Sequence, residues 1–153
     1  MALISIDDDQ IFDTIAQALN IVFGKKTKTG KSYKQVQKCC FEINKGKKAL
    51  FIWLAEKRIE GGWDNPKISN KWLNIPDPDE KTFTQIFLNK DRSILNFYKD
   101  KDEYAVFMHK KDNNGKLRYY FYGMFRRQYV NNKTGICIFK RIGTALEAND
   151  WIP

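Results

Sequence analysis

Hydrophobic residues near the N-terminus recur every three or four positions, which is the spacing of one face of an α-helix. Asp7, Asp8 and Asp9 are candidates for the N-cap of this helix, where negative charge is favourable. Gly24 follows the pattern and is typical of a helix end. The spacing predicts a helix from about residue 8 to residue 22. Its apolar face consists of Ile11, Ile15, Leu19 and Val22.

An uninterrupted apolar run marks the centre of a predicted sheet. Residues 49–55 are all apolar and are bounded by charged residues, which is typical of a buried strand. We place this central strand within residues 48–57. Before it, residues 25–32 combine lysines with Gly30 and small polar residues, and this composition predicts a mobile basic loop.

Several other segments have patterns that suit more than one kind of secondary structure. Residues 33–43 suit a helix or a strand, and we favour a strand because of their aromatic and β-branched content. Residues 61–80 contain Gly-Gly, Asn-Pro and two further prolines, so they are predicted to be largely loop. Residues 82–88 suit a strand or a short helix, and residues 93–98 a short helix or turn.

The C-terminal half predicts a three-stranded antiparallel meander. Residues 117–130 alternate between two kinds of side chain, and turns with Asn and Gly precede and follow them. The meander strands are residues 103–109, 117–130 and 136–142. The predicted core face of the middle strand carries Leu117, Tyr119, Phe121, Gly123, Phe125 and Tyr129, and its other face carries Arg118, Tyr120, Tyr122, Met124, Arg126 and Gln128.

These elements predict an α+β fold. We expect a twisted, partly closed antiparallel β-barrel of about five to seven strands with the N-terminal helix packed outside. The length of 153 residues and the aromatic fraction of 14% suit one domain with a real core. Its predicted parts are a helix at about 8–22, a basic loop at 25–32, a β-rich body at 33–142 and a short C-terminal tail.

The charge is large and unevenly placed. The net charge is +9, from 27 basic and 18 acidic residues. Residues 1–23 carry four acids and no base, whereas residues 25–48 carry nine lysines and one acid, a balance of +8. Such a field attracts phosphate groups and predicts a polyanion partner. The alternative is a lysine surface that serves solubility alone.

The sequence carries no convincing mark of an enzyme, and it predicts neither a catalytic residue, a metal site nor a cofactor. The three cysteines have no CxxC spacing, and His109 is the one histidine, so neither a disulfide framework nor a zinc site is indicated. A nuclease Glu-x-Lys pattern is missing because Glu56 and Lys57 are adjacent. No apolar run is long enough to cross a membrane, and we expect a reducing, cytoplasmic setting.

Aromatic and basic residues together define the candidate binding residues. Arginine and lysine pair with phosphates, while aromatic rings stack on bases. The predicted base contacts are Trp63 and Asn65 on a glycine-preceded loop, with Tyr120 and Tyr122 on the long strand. As alternatives, Trp63 fills a structural gap and the tyrosines cover a second hydrophobic layer. The predicted phosphate contacts are Lys28, Lys31, Lys34, Arg126, Arg127, Lys140 and Arg141.

The order of motifs in residues 61–142 resembles a known group of domains. Gly62-Trp63-Asp64-Asn65 is followed by Asn89-Lys90, then by Tyr104–Phe107, Tyr119–Phe125 and Phe139–Ile142. This order is similar to the DNA-reading β-barrel modules attached to restriction endonucleases, of the SRA and PUA-like kind. The resemblance implies a curved sheet that grips duplex DNA and reads bases, modified and flipped ones included, with the nuclease on another domain or chain.

We therefore predict a nucleic-acid-binding module, with duplex DNA favoured over RNA and a modified base as a candidate target, in a restriction or defence setting. Two other functions stay open. One is a small phage or mobile-element protein that docks on a nuclease or its RNA, and the other is a metal-dependent nuclease.

Overall fold

The computed structural model describes residues 3–8, 10–25, 30, 40–53, 72–87 and 99–151. Strands dominate this part of the chain, and one α-helix accompanies them, so the predicted α+β class is confirmed. The elements are β1 (Leu3–Ser5), β2 (Ile11–Phe12), α1 (Ile15–Phe23), β3 (Cys40–Asn44), β4 (Lys47–Trp53), β5 (Trp72–Pro76), β6 (Thr82–Phe87), β7 (Glu103–Lys111), β8 (Leu117–Asn131), β9 (Ile136–Gly143), β10 (Ala145–Glu147) and a 3-10 helix (Ala148–Asp150).

Helix α1 begins later than the spacing predicts. Its N-cap is Thr14, whose side-chain oxygen accepts a hydrogen bond from the Gln17 backbone N–H at 3.0 Å. The prediction of an aspartate N-cap is wrong. The Asp8 carboxylate instead accepts a hydrogen bond from the Ser5 backbone N–H at 2.8 Å, in a turn that precedes the helix. The end at Gly24 is confirmed, and its left-handed φ of 58° explains why glycine stands there.

The main sheet has the strand order β3-β4-β7-β8-β9-β6-β5. The predicted meander β7-β8-β9 is confirmed, and every neighbour in it is antiparallel. The prediction that the whole sheet is antiparallel is wrong, because β4 and β7 are parallel. Their pairing runs from Lys47 opposite Glu103 to Trp53 opposite His109. The connection from the end of β4 to the start of β7 is long enough to provide the crossover that parallel neighbours require.

The two edges of the sheet are β3 and β5, and no backbone ladder closes it into a barrel within the described residues. Strand β5 lies in a segment predicted as loop. It tolerates Pro76 because an edge strand has one side free of ladder hydrogen bonds. The Asn74 side-chain amide of β5 donates to the Trp53 carbonyl of β4 at 3.2 Å, so the two strands approach each other.

Hydrophobic residues cover both faces of the sheet and form two cores. The helix-side core lies between α1 and the sheet, with Phe51 and Phe107 stacked at 5.0 Å between ring centroids. The inner core lies on the concave face, where Phe83 and Phe139 stack at 4.8 Å. The helix therefore packs outside the curved sheet, as expected.

Strand β8 contributes to both cores because its register shifts along its length. The ladder with β7 is irregular between Gly123 and Phe121, and Gly123 has a φ of 131°. Before this point Tyr119 and Phe121 face the helix-side core, whereas after it Phe125 faces the inner core. The prediction of a single core face for this strand is therefore wrong.

Residues predicted as a short C-terminal tail are part of the fold. Strand β10 pairs antiparallel with β1, with Leu3 opposite Glu147. Trp151 is buried and stacks on Phe23 of α1 at 5.9 Å. This end of the chain seals the helix-side core.

Candidate nucleic-acid interface

Arg126 and Lys140 are the predicted phosphate contacts that the structure brings together at the surface. They lie opposite each other in the β8–β9 ladder, and both side chains are exposed. The Arg126 guanidinium is 3.8 Å from the Glu103 carboxylate, a surface pair that contributes little to stability. This arrangement leaves two adjacent cations accessible to an anion.

Arg141 is engaged within the protein. Its guanidinium carbon lies 4.8 Å from the Tyr122 ring centroid and 5.3 Å from that of Phe125, both within cation–π range. The guanidinium also donates a hydrogen bond to the Tyr122 backbone carbonyl. Arg141 therefore fixes the bend of β8 from the neighbouring strand.

Arg127 is also directed inwards. It is 8% exposed, and its Nε donates to the Asp100 carboxylate at 2.8 Å. Burial raises the pKa of the neighbouring Cys137 thiol, and the Arg127 charge and hydrogen bond oppose that rise. Arg127 thus ties β8 to the turn that precedes β7.

Tyr122 is half-buried on the concave face. Its ring stacks on Phe125 with centroids 5.4 Å apart and an interplanar angle of 10°. Burial raises the pKa of its hydroxyl, and the nearby Arg141 charge acts in the opposite direction. The hydroxyl is buried and has no hydrogen-bond partner among the described residues. The hydroxyl therefore keeps a hydrogen-bonding capacity that the described residues do not use.

Tyr120 lies on the same side of β8 and is partly exposed. The Lys110 ammonium is 4.8 Å from the centroid of its ring. The pairing of Tyr120 with Ile11 of β2 holds its backbone in place. An aromatic ring and a cation are thus adjacent near the start of β8.

Five predicted contacts lie outside the described residues. They are Lys28, Lys31, Lys34, Trp63 and Asn65. The described candidates are therefore Tyr120 and Tyr122, with the exposed cations Arg126 and Lys140 farther along β8 and β9.

A second aromatic group lies outside the binding residues predicted from the sequence. It consists of Trp53, His109 and Tyr119, at the ends of β4 and β7 and the start of β8. The Trp53 and His109 rings are stacked at 4.4 Å, and His109 and Tyr119 are 4.5 Å apart. The Trp53 Nε1–H donates to the Tyr119 hydroxyl at 2.7 Å. We call these residues the Trp53 stack. The parallel pairing of β4 with β7 brings these residues together, and local sequence patterns do not indicate that pairing.

The turn between β7 and β8 places basic residues beside the Trp53 stack. The Asp112 carboxylate accepts the Asn114 and Lys116 backbone N–H groups at 2.9 Å each, which orders the turn. Arg118 forms an ion pair with Asp13 at 2.6 Å. The exposed lysines of this turn are Lys110, Lys111 and Lys116.

The described part of the chain lacks two other features, a metal-binding group and a membrane-spanning helix. It contains no group of three or more His, Cys, Asp or Glu side chains placed to hold a metal ion. None of its helices is long and apolar enough to cross a membrane.

The fold and the site together define an α+β domain whose curved mixed sheet carries aromatic and basic side chains. The chain belongs to the SRA family: the model of the SET and RING associated domain matches residues 2–148. This confirms the resemblance seen in residues 61–142 and extends it over nearly the whole chain.

Among solved structures, the chain is similar to the 5-hydroxymethylcytosine-specific restriction enzyme AbaSI. The TM-score is 0.67 at 23% sequence identity, and the match covers 95% of this chain. At this identity the likeness establishes the shared fold. The chain spans 42% of the length of AbaSI. None of the curated proteins matches the chain.

Proposed function

We propose that this chain is a DNA-reading module that recognises a modified cytosine in duplex DNA, in a restriction setting. The observation that carries the proposal is the SRA family match over residues 2–148. The fold shared with AbaSI supports it, since that enzyme is named for its specificity for 5-hydroxymethylcytosine.

The described side chains fit two roles in such a module. Arg126 and Lys140 are adjacent exposed cations and are proposed to contact DNA phosphates. Tyr120 and Tyr122 are proposed to contact the base, with the unpaired Tyr122 hydroxyl as a donor to its polar edge. Lys28, Lys31, Lys34, Trp63 and Asn65 stay proposed contacts on sequence grounds. Arg127 and Arg141 are instead assigned to holding the sheet in shape.

We further propose that β4 and β5 form the seam of a partly closed barrel. The Asn74–Trp53 hydrogen bond across these strands supports the proposal. Gln85, opposite Asn74 on β6, donates from its side-chain amide to the Asn74 Oδ1 atom at 3.0 Å and extends the polar contact inside the sheet. A curved sheet of this kind presents a concave face to a rod-shaped ligand.

Cleavage is proposed to belong to another domain or chain. AbaSI is longer than this chain, which spans 42% of it. DNA is proposed as the partner in preference to RNA, and the cytoplasm as the location.

Binding to matched duplexes tests the proposed function. Three duplexes would differ at one position, which carries cytosine, 5-methylcytosine or 5-hydroxymethylcytosine, and an RNA duplex of the same sequence would serve as the comparison. We expect salt-sensitive binding that is tightest for one modified duplex. Equal affinity for the three DNA duplexes would contradict base reading. No binding even at low salt would favour a protein partner.

A further inference from the structure

The Trp53 stack forms a flat aromatic surface on the helix side of the sheet. The indole lies against His109 on one face and is anchored by its N–H bond to Tyr119. Trp53 nevertheless stays 43% exposed, so a large part of this side chain is accessible to a ligand. A partly buried hydrogen bond and a stacked neighbour fix this ring before any ligand arrives.

Cations border this surface. Lys111 lies two residues beyond His109 on the same side of β7, and Leu117 is opposite it in the ladder. Two residues of strand span roughly 7 Å, which suits the separation of a base and its own phosphate. Lys111 forms no ion pair with any acid in the described ranges. Its charge is therefore available to a ligand.

The Trp53 stack is separate from the proposed base-reading residues. Trp53, His109 and Tyr119 continue the face of the sheet that carries the helix-side core. Tyr122 packs against the inner core on the opposite face. One duplex on the concave face would therefore leave the Trp53 stack uncovered.

We propose that the Trp53 stack binds an unpaired nucleotide of a single-stranded nucleic acid. The base stacks on the exposed part of the indole and the phosphate pairs with Lys111. Charge favours a nucleic acid over an apolar peptide, because the four basic side chains of residues 110–118 outnumber the two acids that pair with them, Asp112 and Asp13. Stacking of this kind tolerates any base, since every base has a flat π face. This inference goes beyond the proposed function, which concerns paired DNA on the other face.

The test measures the affinity of a fluorophore-labelled oligodeoxythymidine strand by anisotropy across a salt series. Trp53→Leu removes the aromatic ring, and we expect roughly a tenfold loss of affinity. Trp53→Phe keeps a ring and lacks the N–H bond to Tyr119, and we expect it to retain most of the binding. Binding of a blunt, unmodified duplex should be the same in both variants and the parent protein.

Lysine variants provide a readout that does not depend on the folding of a Trp53 variant. Lys111→Gln should reduce the slope of log affinity against log salt by about 0.7 for the single strand. The matched control is Lys101→Gln, which removes the same charge from an exposed position just before β7, at the opposite end of that strand. This control should leave the slope unchanged.

Four results would overturn the proposal. The parent protein could fail to bind the strand, which would leave this surface to a protein partner. Trp53→Leu could bind it as well as the parent does, or both Trp53 variants could lose equal affinity. Trp53→Leu could also weaken the blunt duplex equally. The proposed function is tested independently, because it depends on preference among modified duplexes and not on single strands.

Discussion

Two neighbouring lysines of β4, Lys47 and Lys48, occupy opposite environments. Lys48 is 3% exposed and pairs with the buried Asp102, while its ammonium lies 5.9 Å from the Tyr104 ring centroid. Lys47 pairs with Glu103 at 3.5 Å on the surface. Charges removed from water need their partner far more than solvated charges do. The same residue type therefore has different energetic importance at adjacent positions.

Removing the partner of Lys48 should destabilise the protein strongly. We expect Asp102→Asn to lower the free energy of unfolding by about 3–5 kcal/mol, because it removes the carboxylate that pairs with the buried Lys48 charge. Urea denaturation would measure the change. Glu103→Gln removes the partly exposed partner of Lys47 and Arg126 and is expected to cost less than about 1 kcal/mol. Equal effects of the two substitutions would contradict the different environments.

His109 should make stability depend on pH. Burial beneath Trp53 lowers the pKa of His109, so the folded protein favours the neutral ring more than the unfolded chain does. Its contribution is fully present above the unfolded value of about 6.5 and declines as pH falls below it. The thermal midpoint should fall between pH 7.5 and 5.5 more steeply in the parent than in His109→Phe. Because His109 is the one histidine, parallel curves would refute this.

At the residue scale, the sequence indicates which side chains are candidates for binding, but it does not indicate how exposed each side chain is in the fold. Tyr122 was recognised as an aromatic beside basic residues, and the structure places it beside Arg141. Trp53 was assigned to a buried strand, but it ends that strand and stays exposed. Exposure at a strand end depends on how far the covering helix reaches. Local sequence patterns do not specify how far the helix covers the strand.

At the scale of elements, the bend of β8 depends on Gly123. A Cβ atom at this position would lie 2.7 Å from Arg141 Nε and 3.1 Å from the Gly143 carbonyl oxygen. The φ of 131° adds backbone strain for any other residue. Glycine is therefore required both by the conformation and by the packing of Arg141.

Substitution of this glycine should cost more than substitution of a glycine in an exposed turn. We expect Gly123→Ala to lower the free energy of unfolding by roughly 3 kcal/mol, from strain and displacement of Arg141. Gly115→Ala is the matched control, since Gly115 has a φ of 79° with no atom near the added Cβ. It should cost about 1–2 kcal/mol from the backbone alone. Denaturant unfolding would separate the two, and equal losses would argue against the Arg141 contact.

Elements defined by local patterns were predictable, and those defined by distant pairing were not. Alternation and Asn-Gly turns predicted the meander β7-β8-β9 correctly. The parallel pairing of β4 with β7 joins residues more than fifty positions apart, and no local signal records it. The helix start was misplaced because three aspartates and Thr14 are all good caps. Tertiary packing decides between such equal candidates.

At the scale of the whole molecule, the net charge of +9 does not show how many basic residues form ion pairs within the protein. Arg118 and Arg127 are paired with aspartates, and Lys48 is buried. The number of free surface cations is therefore smaller than the composition suggests. Family membership, by contrast, could be recognised from the order of motifs in half of the chain, because that order records the succession of strands.

The proposed phosphate contacts predict a defined change in salt dependence. Replacement of both Arg126 and Lys140 by Gln should reduce the slope of log affinity against log salt by about 1.8 for duplex DNA, since each phosphate contact contributes about 0.9. Preference among modified duplexes should persist, because phosphate contacts carry no base information. Lys116→Gln, at the β7–β8 turn, serves as a control with an unchanged slope. Loss of base preference in the double variant would contradict these assigned roles.

The pairing of β1 with β10 has a consequence for any longer polypeptide that contains this domain. Because Leu3 lies opposite Glu147, four residues before Trp151, the two ends of the described fold lie near each other. A nuclease fused before or after the domain would thus be tethered from nearly the same point. With linkers of equal length, both arrangements should cut DNA at a similar distance from the base that is read.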